Sequence, residues 1–164
     1  MKIKTQIPKQ RRTKMSSNSN TVRLHRVFKA PAKRVYKAFI NADAQAQWLP
    51  PYGFTCKVHA FDPVVGGKFK MSFTNFTNDQ SNSFGGEFVE IQPEKLIKYT
   101  DRFDDPNLPG EILVTISFRE TMGLTEVHIT QENIPSVIPA EMCYLGWNES
   151  LKKLARLVEP EINQ

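Results

Sequence analysis

Apolar and polar residues alternate along most of this chain, and the alternation changes period in three places. Thr21–Phe28 sets Val22, Leu24 and Phe28 against Arg23 and His25, the two-residue period of a half-buried strand. Pro31 opens a helix, with Val35, Ala38 and Phe39 on one face. Asn41 or Asp43 can cap a second short helix, which Pro50-Pro51 stops just after Trp48-Leu49. Alternation then returns. Phe54, Cys56, Val58 and Ala60 share a face, and so do Phe69, Met71 and Phe73 after the Gly66-Gly67 turn. Asn75–Asn82 is polar and reads as a hairpin loop. Phe84–Ile91 follows, then a Gln92-Pro93-Glu94 turn and a strand with Ile97, Tyr99 and Phe103 in phase. Beyond the wide turn 104–110, Ile112, Val114, Ile116 and Phe118 share a face, then Val127 and Ile129. From about Pro139 to Val158 the period becomes helical, with Cys143, Trp147, Leu151, Leu154 and Val158 as one stripe.

The order is one strand, two short helices, six strands and a long helix. Strands joined by short turns form an antiparallel sheet, and a sheet this long curls. The expected fold is α+β: a curved antiparallel sheet of six to seven strands wrapped around the C-terminal helix.

Charge changes this picture less than the net value of +5 suggests. Residues 1–20 hold six basic residues and no acid, leaving 16 basic and 17 acidic residues in the rest. The globular part lacks the positive footprint of a nucleic-acid binder. Residues 1–20 read as a disordered basic leader ahead of one domain at 21–160. Met15 is a candidate first residue, and a targeting or anion-binding arm is the alternative. No apolar segment follows the basic residues as a secretory signal requires, and no run is long enough to span a membrane. Cys56 and Cys143 form neither a disulfide framework nor a metal spacing, so the expected setting is reducing and cytoplasmic.

Several pieces in this order resemble the START-like, or SRPBCC, superfamily, whose fold is the helix-grip. They are Arg26–Pro31 with Val35–Phe39, Trp48–Pro51, Val65–Phe69, Gly86–Ile91, Leu96–Thr100, Thr125–Val127, and the Gly146-Trp147 helix ending in Leu151 and Leu154. The similarity is greatest to the branch of the activator of heat-shock protein 90 ATPase, and it spans roughly residues 21–158. Members of the superfamily carry lipids, hold polyketides or phenolics, cyclise aromatic intermediates, sequester toxic molecules or assist a chaperone. Asp101 departs from the branch, where an aromatic residue often follows Tyr-Thr; this implies a more polar cavity at that level.

The inward strand positions and the inner helix face are the candidate lining of an apolar cavity. The strands offer Phe54, Met71, Phe73, Phe88, Tyr99, Phe103 and Ile116, and the helices Trp48, Met142 and Trp147. Asp101 and Gln131 share parity with inward neighbours and are the polar candidates; Arg26, in phase with Leu24 and Phe28, is a possible partner for Asp101. A dry packed core would account for the same apolar pattern. His25, His59 and His128 fall on separate strands, out of phase with the interior, without the spacing of a zinc site. The cysteines read as small hydrophobes, with no cation beside them to activate a thiol. No phosphate-binding loop or nucleophile elbow is present, no catalytic residue stands out, and no cofactor or metal is expected.

The expected function is therefore non-enzymatic binding of a small hydrophobic, lipid-like or aromatic molecule, in a stress- or metabolite-related role. One alternative is an enzyme of the aromatase, cyclase or hydrolase kind with Asp101 as its acid–base group. Another is a chaperone-interacting protein, in the absence of the extra N-terminal domain of the eukaryotic activators. A homodimer is possible on general grounds.

Overall fold

The computed structural model describes residues 20–164; the leader expected at 1–20 falls, but for Asn20, outside the described residues. The elements follow the predicted order. Strand β1 (Val22–Phe28) leads into helices α1 (Ala32–Phe39) and α2 (Ala42–Trp48). Strands β2 (Phe54–Phe61), β3 (Lys68–Asn75), β4 (Ser81–Gln92), β5 (Leu96–Phe103), β6 (Ile112–Thr121) and β7 (Leu124–Glu132) come next, and α3 (Ala140–Val158) closes the chain.

The seven strands form one antiparallel sheet in the order β1-β7-β6-β5-β4-β3-β2. Every pairing but one joins consecutive strands, because tight turns leave a strand nowhere else to go. The exception is β1 beside β7. Helices α1 and α2 carry the chain away from β1, so β2 starts at the opposite edge. Pro31 stands one residue ahead of α1, as its cap. Asn41 caps α2 by accepting from the Ala44 amide at 2.8 Å.

The sheet's concave face and α3 enclose the core. Phe28, Val35, Ile97, Ile116, Ile129, Leu151 and Leu154 are all 1% exposed or less. Burying each such side chain contributes about 1.5–3 kcal/mol. Helix α3 does not sit centrally. Its close backbone neighbours are β1, α1 and α2, and it stands off the β2–β5 half of the sheet. Its C-terminal half, with Ser150, Leu151, Leu154 and Val158, is buried; Met142 and Leu145 in its first turns are exposed. A helix seated at one side of a curled sheet leaves a space at the other.

Two local expectations change. The ladder runs further than the polar composition suggests: Ser81 and Asn82 pair with Thr74 and Phe73, so only residues 76–80 form the hairpin loop. A bulge between Val58 and Ala60 turns Ala60 to solvent and Phe61 inward. Two residues on one strand then oppose one on the next, and the alternation slips by one. A second bulge between Phe88 and Glu90 shifts the register so that Ile91, opposite Ile97, packs against the core.

Candidate functional site

The space between α3 and the β2–β5 half is a cavity of about 350 Å³. Parity builds its wall. Met71 and Phe73 come from β3, Phe84 and Phe88 from β4, and Tyr99, Asp101 and Phe103 from β5. Helix α3 contributes Met142, Cys143, Gly146 and Trp147, its side not seated on β1. Aromatic rings meet edge to face around the cavity: Phe69 with Tyr99 at 5.4 Å between centroids, Phe73 with Phe84 at 4.8 Å, and Phe61 with Phe88 at 5.8 Å.

Ten of the twelve candidate residues lie on this wall: Phe54, Met71, Phe73, Phe88, Tyr99, Asp101, Phe103, Gln131, Met142 and Trp147. Met142 is 65% exposed and stands at the rim. Trp48 and Ile116 are packed in the core instead, each 1% exposed. The Trp48 indole donates to the Ala38 carbonyl at 2.9 Å and sets its ring against Phe39, which pins it between the helices. Ile116 lies between Ile97 and Ile129 on the neighbouring strands, both 1% exposed.

The polar groups are few. Trp147 Nε1 donates to Gln131 Oε1 at 3.0 Å, tying α3 to β7 across the cavity edge. Gln45 Nε2 donates to the Phe39 carbonyl at 2.9 Å, and Gln45 Oε1, on the cavity wall, is buried with no partner among the described residues. Asp101 Oδ1 is likewise buried and unpartnered. Desolvation lifts the Asp101 carboxyl from 3.8 to about 7, against smaller lowering effects from the Arg102 amide and Lys70. Burial also raises the Tyr99 phenol, with Asp101 adding to the shift, so it stays neutral.

Arg26 is not the partner of Asp101. Strands β7 and β6 lie between β1 and β5, a span of about 14 Å. Arg26 donates instead to Asn148 Oδ1 of α3, at 2.5 Å. Cys56 does have a cation near it, Lys153, but burial outweighs that charge and raises the thiol to about 11. Burial raises Cys143 as well. Neither is poised as a nucleophile.

The histidines are less scattered than their spacing suggests. The β1–β7 register sets His25 opposite His128, with ring centroids 4.5 Å apart, and Glu126 lies two residues from His128 on the same outer face. The ligand atoms of His25, Glu126 and His128 lie within 4.8 Å of one another, a grouping only the pairing of first and last strands could create. His25 Nε2 lies 3.3 Å from Glu126 Oε1, and Arg119 Nε donates to Glu126 Oε2 at 3.1 Å, so both carboxylate oxygens already have partners. His59 stands apart, beside the Ser72 hydroxyl at 2.9 Å.

Sequence reasoning missed Phe61, hidden by the bulge, and Gln45, whose seven-residue helix is too short to show a clear buried face. It also passed over Phe69 and Phe84, although their parity was readable.

Residues 29–159 match the family model described as Activator of Hsp90 ATPase homolog 1-like protein. No curated protein matches the sequence. Among solved structures, a Chromobacterium violaceum protein is 52% identical, with a TM-score of 0.86 over 87% of this chain and 99% of that one. An Arthrobacter aurescens protein at 18% identity has a TM-score of 0.77 over 90% of each chain. A Rhodobacter sphaeroides protein, also at 18%, has a TM-score of 0.75 over 84% of this chain and 91% of its own. The last two establish likeness of fold alone.

Proposed function

The chain belongs to the family of Activator of Hsp90 ATPase homolog 1-like proteins, within the START-like helix-grip superfamily, and on that premise we propose that it binds a small hydrophobic molecule in its internal cavity without transforming it. One observation carries this reading: the cavity of about 350 Å³ between α3 and the β2–β5 half, walled by Phe69, Phe73, Phe84, Phe88, Tyr99 and Trp147. Volume and lining both suit an apolar, drug-sized ligand held by a few polar groups. A protein built only for stability would gain by filling this volume, since unfilled apolar space forfeits packing energy.

Binding stabilises the folded state by mass action, by about 2.7 kcal/mol at a ligand concentration one hundred times Kd, and so raises the melting temperature. The test is a thermal-shift screen over neutral lipids, alcohols, amines, acids and aromatic compounds. Saturable shifts with some apolar members support the reading; none across the set overturns it.

A catalytic reading has one observation in its favour, the Asp101 carboxyl held near neutrality inside the cavity, where an acid–base group operates best. The other titratable groups on the cavity wall, Tyr99 and Cys143, are both held in their neutral forms by burial, so neither supplies an ionised partner for an acid–base pair. Binding is the reading the geometry favours.

A further inference from the structure

Two atoms on the cavity wall, Asp101 Oδ1 and Gln45 Oε1, are buried without a partner among the described residues, and both are acceptors. The Gln45 amide cannot be turned to present its nitrogen instead, because only that nitrogen can donate to the Phe39 carbonyl. Asp101 is flanked on its own strand face by Tyr99 and Phe103, and Phe103 pairs with Phe84.

The charged and titratable groups around Asp101 leave its charge unbalanced. Lys70 of β3 is turned to the outer face and bonded to Asp104. Arg102 is exposed and 3.6 Å from Glu111. Tyr99 beside it and Cys143 on the facing helix are both held neutral by burial. Gln131 has its oxygen engaged by Trp147. A buried carboxylate without a counter-charge is costly, and a cationic group on a ligand would offset that cost.

Resting on the cavity reading above, we propose that the ligand is a hydrophobic molecule bearing a protonated amine, its ammonium against Asp101 and its apolar body against the aromatic wall. An ammonium brings donors and no acceptor, which matches the unpartnered oxygen of Asp101, and the cavity wall's other unpartnered polar atom, Gln45 Oε1, is an acceptor as well. Its bond to a carboxylate is charge-assisted, stronger than a hydroxyl could make. Ring faces attract cations, so the same wall suits both ends of such a molecule. A fatty acid would instead place a second anion beside Asp101 in a desolvated space. Pairing requires the ionised carboxylate, so amine affinity rises as pH passes upward through about 7, while the aliphatic amine itself stays protonated to about 10.

The experiment compares 4-phenylbutylamine, 4-phenylbutanol and 4-phenylbutyrate, which share one apolar body, by calorimetric titration at pH 8 and by displacement of the neutral dye Nile red. The expected result is that the amine binds at least about tenfold more tightly than the alcohol or the acid. Asp101→Asn should remove most of that preference while the dye still binds. Equal affinities, or a preference that survives Asp101→Asn, would overturn the inference and leave the apolar-cavity reading standing. No binding of dye or probes would overturn both. If the variant does not fold, the wild type decides: amine affinity that climbs between pH 5.5 and 8 supports the inference, and a flat or falling profile contradicts it.

Discussion

The indole Nε1 of Trp147 donates to the side-chain oxygen of Gln131 at 3.0 Å, and this bond fixes the inner face of α3 against β7 at the edge of the cavity. It lies where the helix passes from the packed part of the fold to the open part. One turn further along, Leu151 is fully buried; one turn back, Cys143 and Met142 border the cavity. The bond therefore sets how far the helix stands from the sheet.

Trp147→Phe keeps most of the ring but removes the donor, leaving the Gln131 oxygen unpartnered. Stability should fall by about 1–3 kcal/mol, measured by urea unfolding. Ligand affinity should fall too, because the helix is no longer held at its distance. A variant as stable as wild type would remove this bond from the account.

Asp101 should make stability depend on pH. Its carboxyl is raised to about 7 in the folded chain, against 3.8 unfolded. Between those values the folded chain holds a proton that the unfolded chain has lost, so stability falls as pH rises from about 4 to 7 and levels above that. Asp101→Asn should flatten this slope and be the more stable form at pH 8, by a few kcal/mol on the order set by the shift. The check is denaturant unfolding of both proteins at pH 5 and pH 8.

Gly146 lies on α3 at the cavity wall, and a Cβ added there meets nothing within 4 Å. Gly146→Leu should fill the cavity from the helix side. A helix interior favours leucine over glycine by up to about 1 kcal/mol, so the melting temperature should hold or rise while Nile red binding is lost. Retained binding would place the ligand elsewhere.

Gly86 serves the sheet. A Cβ there would lie 1.8 Å from the Thr100 carbonyl oxygen, so β4 and β5 approach as closely as they do only with glycine at this position. Gly86→Ala should cost at least about 2 kcal/mol. Unchanged unfolding in a urea titration would contradict that close approach.

What could be read in the sequence was what depends on local period. Alternation marked the inward faces of β3, β5 and β6, and the three- and four-residue recurrence of Trp147, Leu151 and Leu154 marked the long helix. Where two residues oppose one, as at Val58/Ala60, the pattern misleads, and Phe61 was missed for that reason. Burial was readable, but not which buried residues face empty space: Trp48 and Ile116 are apolar and inward like Tyr99, yet Trp48 is packed against Phe39 and Ile116 lies on β6, the strand that α1 approaches. Pairings between distant segments were beyond the pattern. Arg26 meets Asn148 rather than Asp101, and His25 meets His128, because β1 closes onto β7.

The central claim is that the cavity between α3 and β2–β5 takes up an apolar ligand. Two-dimensional NMR of labelled protein, titrated in turn with 4-phenylbutylamine and 4-phenylbutanol, tests it most directly, and saturable shifts with either count. The account predicts saturable shifts concentrated at Met71, Phe73, Tyr99, Asp101, Gly146 and Trp147, with the outer-face residues His25, Glu126 and His128 unmoved. Shifts confined to that outer face, or none that saturate, would contradict it.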